Sequence, residues 1–161
     1  MSHSALALFC VAGISVGASA SADVITDWNQ HALNSVVTAS SPPPLASRNL
    51  AMVQAAVFDA VNGIDGSYRS YKFRSSASVV GAQREAAAVA AAHRVLVGLY
   101  PAQTAALDTL KSNALSALPA LGRSQGEAVG VDVGQQMLTF RSTDGSTATS
   151  TYQPANPPIP G

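Results

Sequence analysis

The chain is poor in charge, poorer in rings and almost without cysteine. Charged residues make up 11% of the sequence, aromatics 6%, and a single Cys stands among 161 residues. Each scarcity excludes something. One Cys cannot close an internal disulfide, and it cannot build a Cys-rich zinc or iron–sulfur site. Nine Lys and Arg against nine Asp and Glu leave no formal net charge. The basic excess of a nucleic-acid binder is therefore missing, as is a polybasic membrane surface. There is no Gly-x-Ser-x-Gly elbow, no Walker loop and no dinucleotide fingerprint. What the sequence holds instead is alanine, 30 residues of it. So much Ala with so few aromatics points to closely packed helices rather than a sheet.

The first residues carry the pattern of an export signal. An apolar run over 5–16 leads to small residues, and Ala18-Ser19-Ala20 and Ala20-Ser21-Ala22 both fit a small-x-small cleavage site. The run falls short of the ~20 residues that span a bilayer. No Lys or Arg precedes it, which departs from the usual signal pattern. Residues 1–22 are read as a signal peptide, which places the protein outside the cell or in the periplasm. Cys10 lies within that segment, so the mature chain would carry no thiol, as suits an oxidising compartment.

The remainder reads as an all-α protein of about five helices, over 23–38, 45–62, 81–99, 101–118 and 123–141. In the first, Val24, Trp28, Ala32 and Val36 recur on one face. Pro42, Pro43 and Pro44 break the chain before the second. That second helix is apolar nearly all round and is expected to be central, ending at Gly63 as its C′ residue. Residues 64–79 form a connection in which Tyr68, Tyr71 and Phe73 are expected to pack. Leu107, Leu110, Leu115 and Leu118 are expected to face inward from the fourth helix, with Asp108 and Lys111 as a surface pair. In the fifth, Gly122, Gly126, Gly130 and Gly134 recur at every fourth residue. Each interior Gly costs about 1 kcal/mol relative to Ala, so the stripe implies the close approach of another helix backbone. Residues 146–161 are Ser/Thr-rich and then Pro-rich, and read as an extended linker.

Candidate chemistry is sparse. His31 and His93 stand on different helices without a partner at metal-ligand spacing. Arg69, Lys72 and Arg74 crowd the connection and read as a solvated loop rather than an anion site. Arg48 and Asp59 bracket the second helix, out of reach of each other along it. No residue is assigned a catalytic, cofactor-binding or metal-binding role.

One ordered set of segments carries a resemblance. It comprises Asp27-Trp28-Asn29, Ser41-Pro42-Pro43, Ala46-Ser47-Arg48 and the run from Ala51 to Asn62. Arg84-Glu85-Ala86-Ala87, Ala91-Ala92-His93, Leu99-Tyr100-Pro101 and Arg141-Ser142-Thr143-Asp144-Gly145-Ser146 complete it. In order and spacing these resemble the N-terminal half of secreted bacterial vanadium-dependent haloperoxidase-like proteins, of the type 2 phosphatidic acid phosphatase superfamily. Gln54 departs from the His expected there in many relatives.

The resemblance implies a larger helical fold that holds vanadate, or phosphate in the phosphatases, among Lys, Arg, Ser, Gly and His. The family's three motifs for this are Lys-x6-Arg-Pro, Pro-Ser-Gly-His and Ser-Arg-x5-His, and none occurs in this sequence. The expected identity is thus the N-terminal helical half of such a protein, residues 23–145, inactive alone and holding no cofactor itself. Its expected partner is the missing C-terminal catalytic half, met by the Ala and Gly faces of the helices; nucleic acid and membrane are not expected. Two rivals stand beside it. One is a stand-alone exported helical module that binds a protein partner or a second copy of itself. The other is a small helical enzyme in which His93, Arg84 and Glu85 converge.

Overall fold

A computed structural model describes residues 23–146 and residue 148. The expected signal peptide and nearly all of the Pro-rich stretch lie outside the described residues. The described part is all-α, as expected: five α-helices and one 3-10 turn, with no strand among the described residues.

Helix α1 spans Val24–Thr38. Asp23 caps it, its carboxylate accepting the Ile25 amide at 3.1 Å, which satisfies one of the free donors of the first turn. Trp28, Ala32 and Ser35 form its buried face. A tight connection reverses the chain into α2, Pro43–Asp65.

Both ends of α2 correct the sequence expectation. Pro43 and Pro44 do not merely interrupt; they occupy the first turn, where a missing amide is harmless. At the far end the helix runs through Gly63 and closes on Gly66, whose φ of 67° is the left-handed cap conformation. The extra turn has a cause in Asn62. Its side chain accepts the Tyr68 amide and donates to the Tyr68 carbonyl, both at 2.8 Å. This fixes where the departing chain must turn.

Helix α3, Arg84–Leu99, is the true centre. Seven consecutive residues, Ala86 to Ala92, are buried, and α3 touches every other helix. Helix α2, expected to be central, leaves Ala51 and Phe58 exposed. Methyl side chains explain the exchange, because only Ala-sized residues let backbones crowd a helix from all sides. The helix starts at Arg84 rather than at residue 81, since Gly81 takes a φ of 70° in the preceding turn.

Tyr100 and the 3-10 turn Pro101–Gln103 lead into α4, Thr104–Ala117. Leu107 alone of this helix is fully buried. Leu110, Leu115 and Leu118, expected inward, are half-buried. Helix α5 spans Arg123–Arg141, with the expected bounds.

The glycine stripe lies along α3. A Cβ at Gly126 would stand 2.1 Å from the Gln83 carbonyl oxygen, and one at Gly130 would stand 2.3 Å from that of Ala87. Any side chain would force the helices apart, so glycine here sets the interhelical distance. The Ala face of α3 and the Gly face of α5 therefore close on each other. They are not left over for the catalytic half expected to meet them. The core between the helices is completed by Trp28, Met52, Val53, Val57, Val89, Val95, Leu96, Val129, Val133 and Met137.

Candidate docking surface

With the small residues buried inside, the large apolar residues left at the surface become the informative ones. Ile25, Phe58 and Tyr68 gather on one side, where α1 and α2 meet the long connection, while Tyr71 stands apart beside Met137 and Phe140. Ile25 and Phe58 are about two-fifths exposed, at 39% and 41%, while Tyr68 and Tyr71 are 71% and 66% exposed. Packing was expected of Tyr68 and Tyr71; of that trio only Phe73 joins the core. A groove of about 290 Å³ lies among Ile25, Gln54, Phe58, Val61 and Tyr68, with Asp65 at its edge. Gln54 donates to Asn29 across the hairpin at 2.8 Å and ties α1 to α2 beside it.

The connection, residues 66–83, acts as a strap, and three of its ties to the bundle are made by Asn62, Asp59 and Asp132. Asn62 holds Tyr68, as above. Asp59, fully buried, accepts the Tyr71 amide on one oxygen at 2.6 Å. Its other oxygen accepts the Lys72 and Phe73 amides at 2.9 and 2.7 Å. A carboxylate that gathers three amides in an apolar surrounding is well satisfied, since charge-assisted hydrogen bonds offset the desolvation. Asp132 of α5 makes the third tie. It accepts the Ser76 amide at 2.6 Å and the Ser75 and Ser76 hydroxyls at 2.9 and 2.8 Å. Partial burial pushes the Asp132 carboxyl up, but the bonds from Ser76, Ser75 and Gln136 outweigh it and hold the group below its ordinary value. Phe73 meets Phe140 edge-on, with ring centroids 5.6 Å apart.

A second polar assembly joins the start of α2 to the end of α5. Arg48 Nε donates to Asp144 at 2.8 Å, and Arg48 Nη2 donates to the Arg141 carbonyl at 2.9 Å. Arg141 Nε lies 2.9 Å from the same Asp144 oxygen. The guanidinium of Arg48 holds the Asp144 carboxyl well below the usual carboxylate range. Arg48 also donates to Asn49, whose amide reaches the Tyr100 hydroxyl at 3.0 Å. Arg48 thus pairs across the fold with Asp144, and Asp59 serves the strap.

The guanidiniums of Arg48 and Arg141 already share the carboxylate of Asp144, so this pair does not fit vanadate or phosphate. No group of three or more His, Cys, Asp or Glu in the described residues is arranged to hold a metal ion.

The two histidines come together around Trp28. Its ring meets His31 and His93 edge-on, at centroid distances of 5.4 and 6.2 Å. His93 Nε2 sits 2.7 Å from an Asp108 oxygen on α4. Burial lowers the His93 pKa; the Asp108 bond opposes this, Lys111 and Arg94 add to it, and the net value lies below the ordinary 6.5. Lys111 turns to Glu127 of α5 at 2.6 Å, so the expected Asp108–Lys111 pair is replaced by two bridges between helices. Arg84 pairs with Asp65 at 3.0 Å. It stands nine residues before His93, about 14 Å along the helix, so His93, Arg84 and Glu85 do not converge.

No family model, curated protein or solved structure matches this chain. No helix among the described residues is long and apolar enough to cross a membrane.

Proposed function

We propose that the chain is the N-terminal helical scaffold region of an exported vanadium-haloperoxidase-like protein of the type 2 phosphatidic acid phosphatase superfamily. In this reading it performs no chemistry alone. It seats the catalytic half, which brings the Lys, Arg, Ser and His that hold the oxyanion and carry out halide oxidation or phosphate-ester hydrolysis.

One observation supports the scaffold role most directly. The glycines of α5 and the alanines of α3 are consumed inside the bundle, while Ile25, Phe58 and Tyr68 remain outside around one groove. The all-helical fold agrees with the family's class, and the ordered set of segments described above supports the family.

The test is the genomic sequence that follows codon 161, read in all frames. Pro-Ser-Gly-His and Ser-Arg-x5-His motifs within about 300 codons, the span of a further domain or two, are the expected result. The encoded downstream segment, co-expressed, should then co-purify with this chain and release it on Phe58→Asp. Unrelated downstream sequence, or vanadate-dependent halide oxidation by this chain alone, would overturn the proposal.

A second reading, a stand-alone module that binds a protein partner, is favoured by the strap. Three separate ties fix an otherwise irregular segment with the Tyr68 and Tyr71 rings exposed, which suits a preformed recognition surface.

A further inference from the structure

The cations of the strap have no internal anions to answer them. Residues 66–83 contain Arg69, Lys72 and Arg74 but no Asp or Glu. Three carboxylates stand beside the strap, and none pairs with its cations; Asp65, at the groove, is taken by Arg84 at 3.0 Å. Asp59 accepts main-chain amides, and Asp132 accepts the Ser76 amide and two hydroxyls. Among the described residues no carboxylate forms an ion pair with Arg69, Lys72 or Arg74. Lys72 lies 4.7 Å over the Phe140 ring, which orients the ammonium without neutralising it. Exposed Tyr71 stands between Arg69 and Lys72, exposed Tyr68 precedes Arg69, and the groove opens beside Tyr68.

We propose that the strap and groove form a docking site for an acidic segment of another polypeptide, which sets carboxylates on Arg69, Lys72 and Arg74 and an apolar side chain between Phe58 and Tyr68. The sign of the partner follows from the unanswered cations, and its apolar anchor from the groove. A polypeptide is favoured over nucleic acid because three cations on a chain of zero net charge neutralise few phosphates. The inference rests on reading this side as a docking surface, and it holds for either a catalytic half or an independent partner.

The probe is a short fluorescein-labelled peptide of Glu with a central Leu-Phe pair, followed by fluorescence anisotropy at low salt. Saturable binding is expected. Arg69→Glu with Arg74→Glu should weaken it about tenfold, since each solvated pair contributes a few-fold at most. The binding should also weaken as salt is raised. Both arginines are exposed, so the helical circular-dichroism signal of this double variant should match the parent. Binding that ignores the arginine reversals but is lost on Phe58→Asp would overturn the acidic partner while leaving the docking face. Absence of saturable binding, or tighter capture of oligo-dT or of phosphatidylglycerol vesicles than of the peptide, would overturn the inference outright.

Discussion

Replacing glycine by alanine along α5 should destabilise the fold, although alanine is the better helix former. The local gain is about 1 kcal/mol per position. Against it stands the geometry at Gly130. A Cβ there would lie 2.3 Å from the Ala87 carbonyl oxygen, 2.8 Å from the Ala91 nitrogen and 2.8 Å from the Ala90 Cβ. Comfortable carbon contacts begin near 3.5 Å, so α5 must retreat from α3 by about 1 Å. No rotamer relieves the clash, because two of the three atoms are backbone. Retreat also strips contact from Val129 and Val133, both fully buried in the same seam. Overpacking of this kind costs roughly 1–3 kcal/mol, and the rigid neighbours place Gly130→Ala near the upper end or beyond. The net loss is about 2 kcal/mol, a fall in Tm of several degrees for a domain of this size. Gly63→Ala is the matched control. It sits inside α2, and nothing lies within 4 Å of its Cβ, so it should gain about 0.5–1 kcal/mol. Gly134→Ala should fall between, since its nearest neighbour is the Arg94 side chain at 2.9 Å, with the Ala91 carbonyl oxygen at 3.0 Å. Thermal unfolding followed by circular dichroism orders the three. A rise in Tm at Gly130 as large as at Gly63 would refute the close α3–α5 contact.

Other outcomes follow from the polar ties. Asp59→Asn keeps the volume but turns an NH2 group toward at least one of the three strap amides; it should cost about 3 kcal/mol and speed hydrogen exchange at Tyr71, Lys72 and Phe73. His93 binds its proton less readily in the fold than in the unfolded chain, so the unfolded state takes up more protons as pH falls. Its stability contribution is full above pH 6.5 and declines as pH drops below that value. Unfolding midpoints measured by Trp28 emission should therefore fall between about pH 7 and pH 5, and His93→Gln should flatten that step. Asp132 and Asp144 have lowered pKa values, so the stability they supply is lost only at lower pH, as they protonate beneath the ordinary carboxylate range. The two declines separate in a pH series, and an unchanged midpoint down to pH 5 would contradict the burial of His93.

Periodic features were legible in the sequence and tertiary exchanges were not. The bounds of α5 and the reason for its glycines follow from a four-residue repeat, because a repeated local cost needs a repeated contact. Gly63 misled because glycine at a helix end is only a permission. The end was set by Asn62, whose side chain holds Tyr68 six residues on. Asp108 and Lys111 satisfied the spacing rule for a helical pair, yet His93 and Glu127 on neighbouring helices offered closer partners. Asp59 is the largest omission. An acid in an apolar helix signals a buried partner, but its partners are main-chain amides of Tyr71, Lys72 and Phe73, which leave no mark in the side-chain pattern. Tyr68 and Tyr71 are expected to pack because ring residues usually do; Asn62 holds Tyr68 and Asp59 holds Tyr71 by their main chains, with both rings left exposed.

The packing also constrains how any partner must engage. Where α3 meets α5, glycine and alanine bring backbone against backbone, and that mode is exhausted inside the bundle. The free side offers Phe58, Ile25 and Tyr68, which hold an incoming helix or segment at side-chain distance, about 8–10 Å between axes. A partner there contributes protruding residues to the groove beside Tyr68 and does not need glycine or alanine of its own. Affinity would then concentrate in few positions, as is usual for aromatic anchors. Phe58→Asp should thus abolish docking, whereas Val80→Asp should leave it within about twofold, the scale of an ordinary surface change. Val80 is 83% exposed but lines neither the groove nor the α2 face. Equal losses at both positions would mean that general surface apolarity, rather than this groove, drives association.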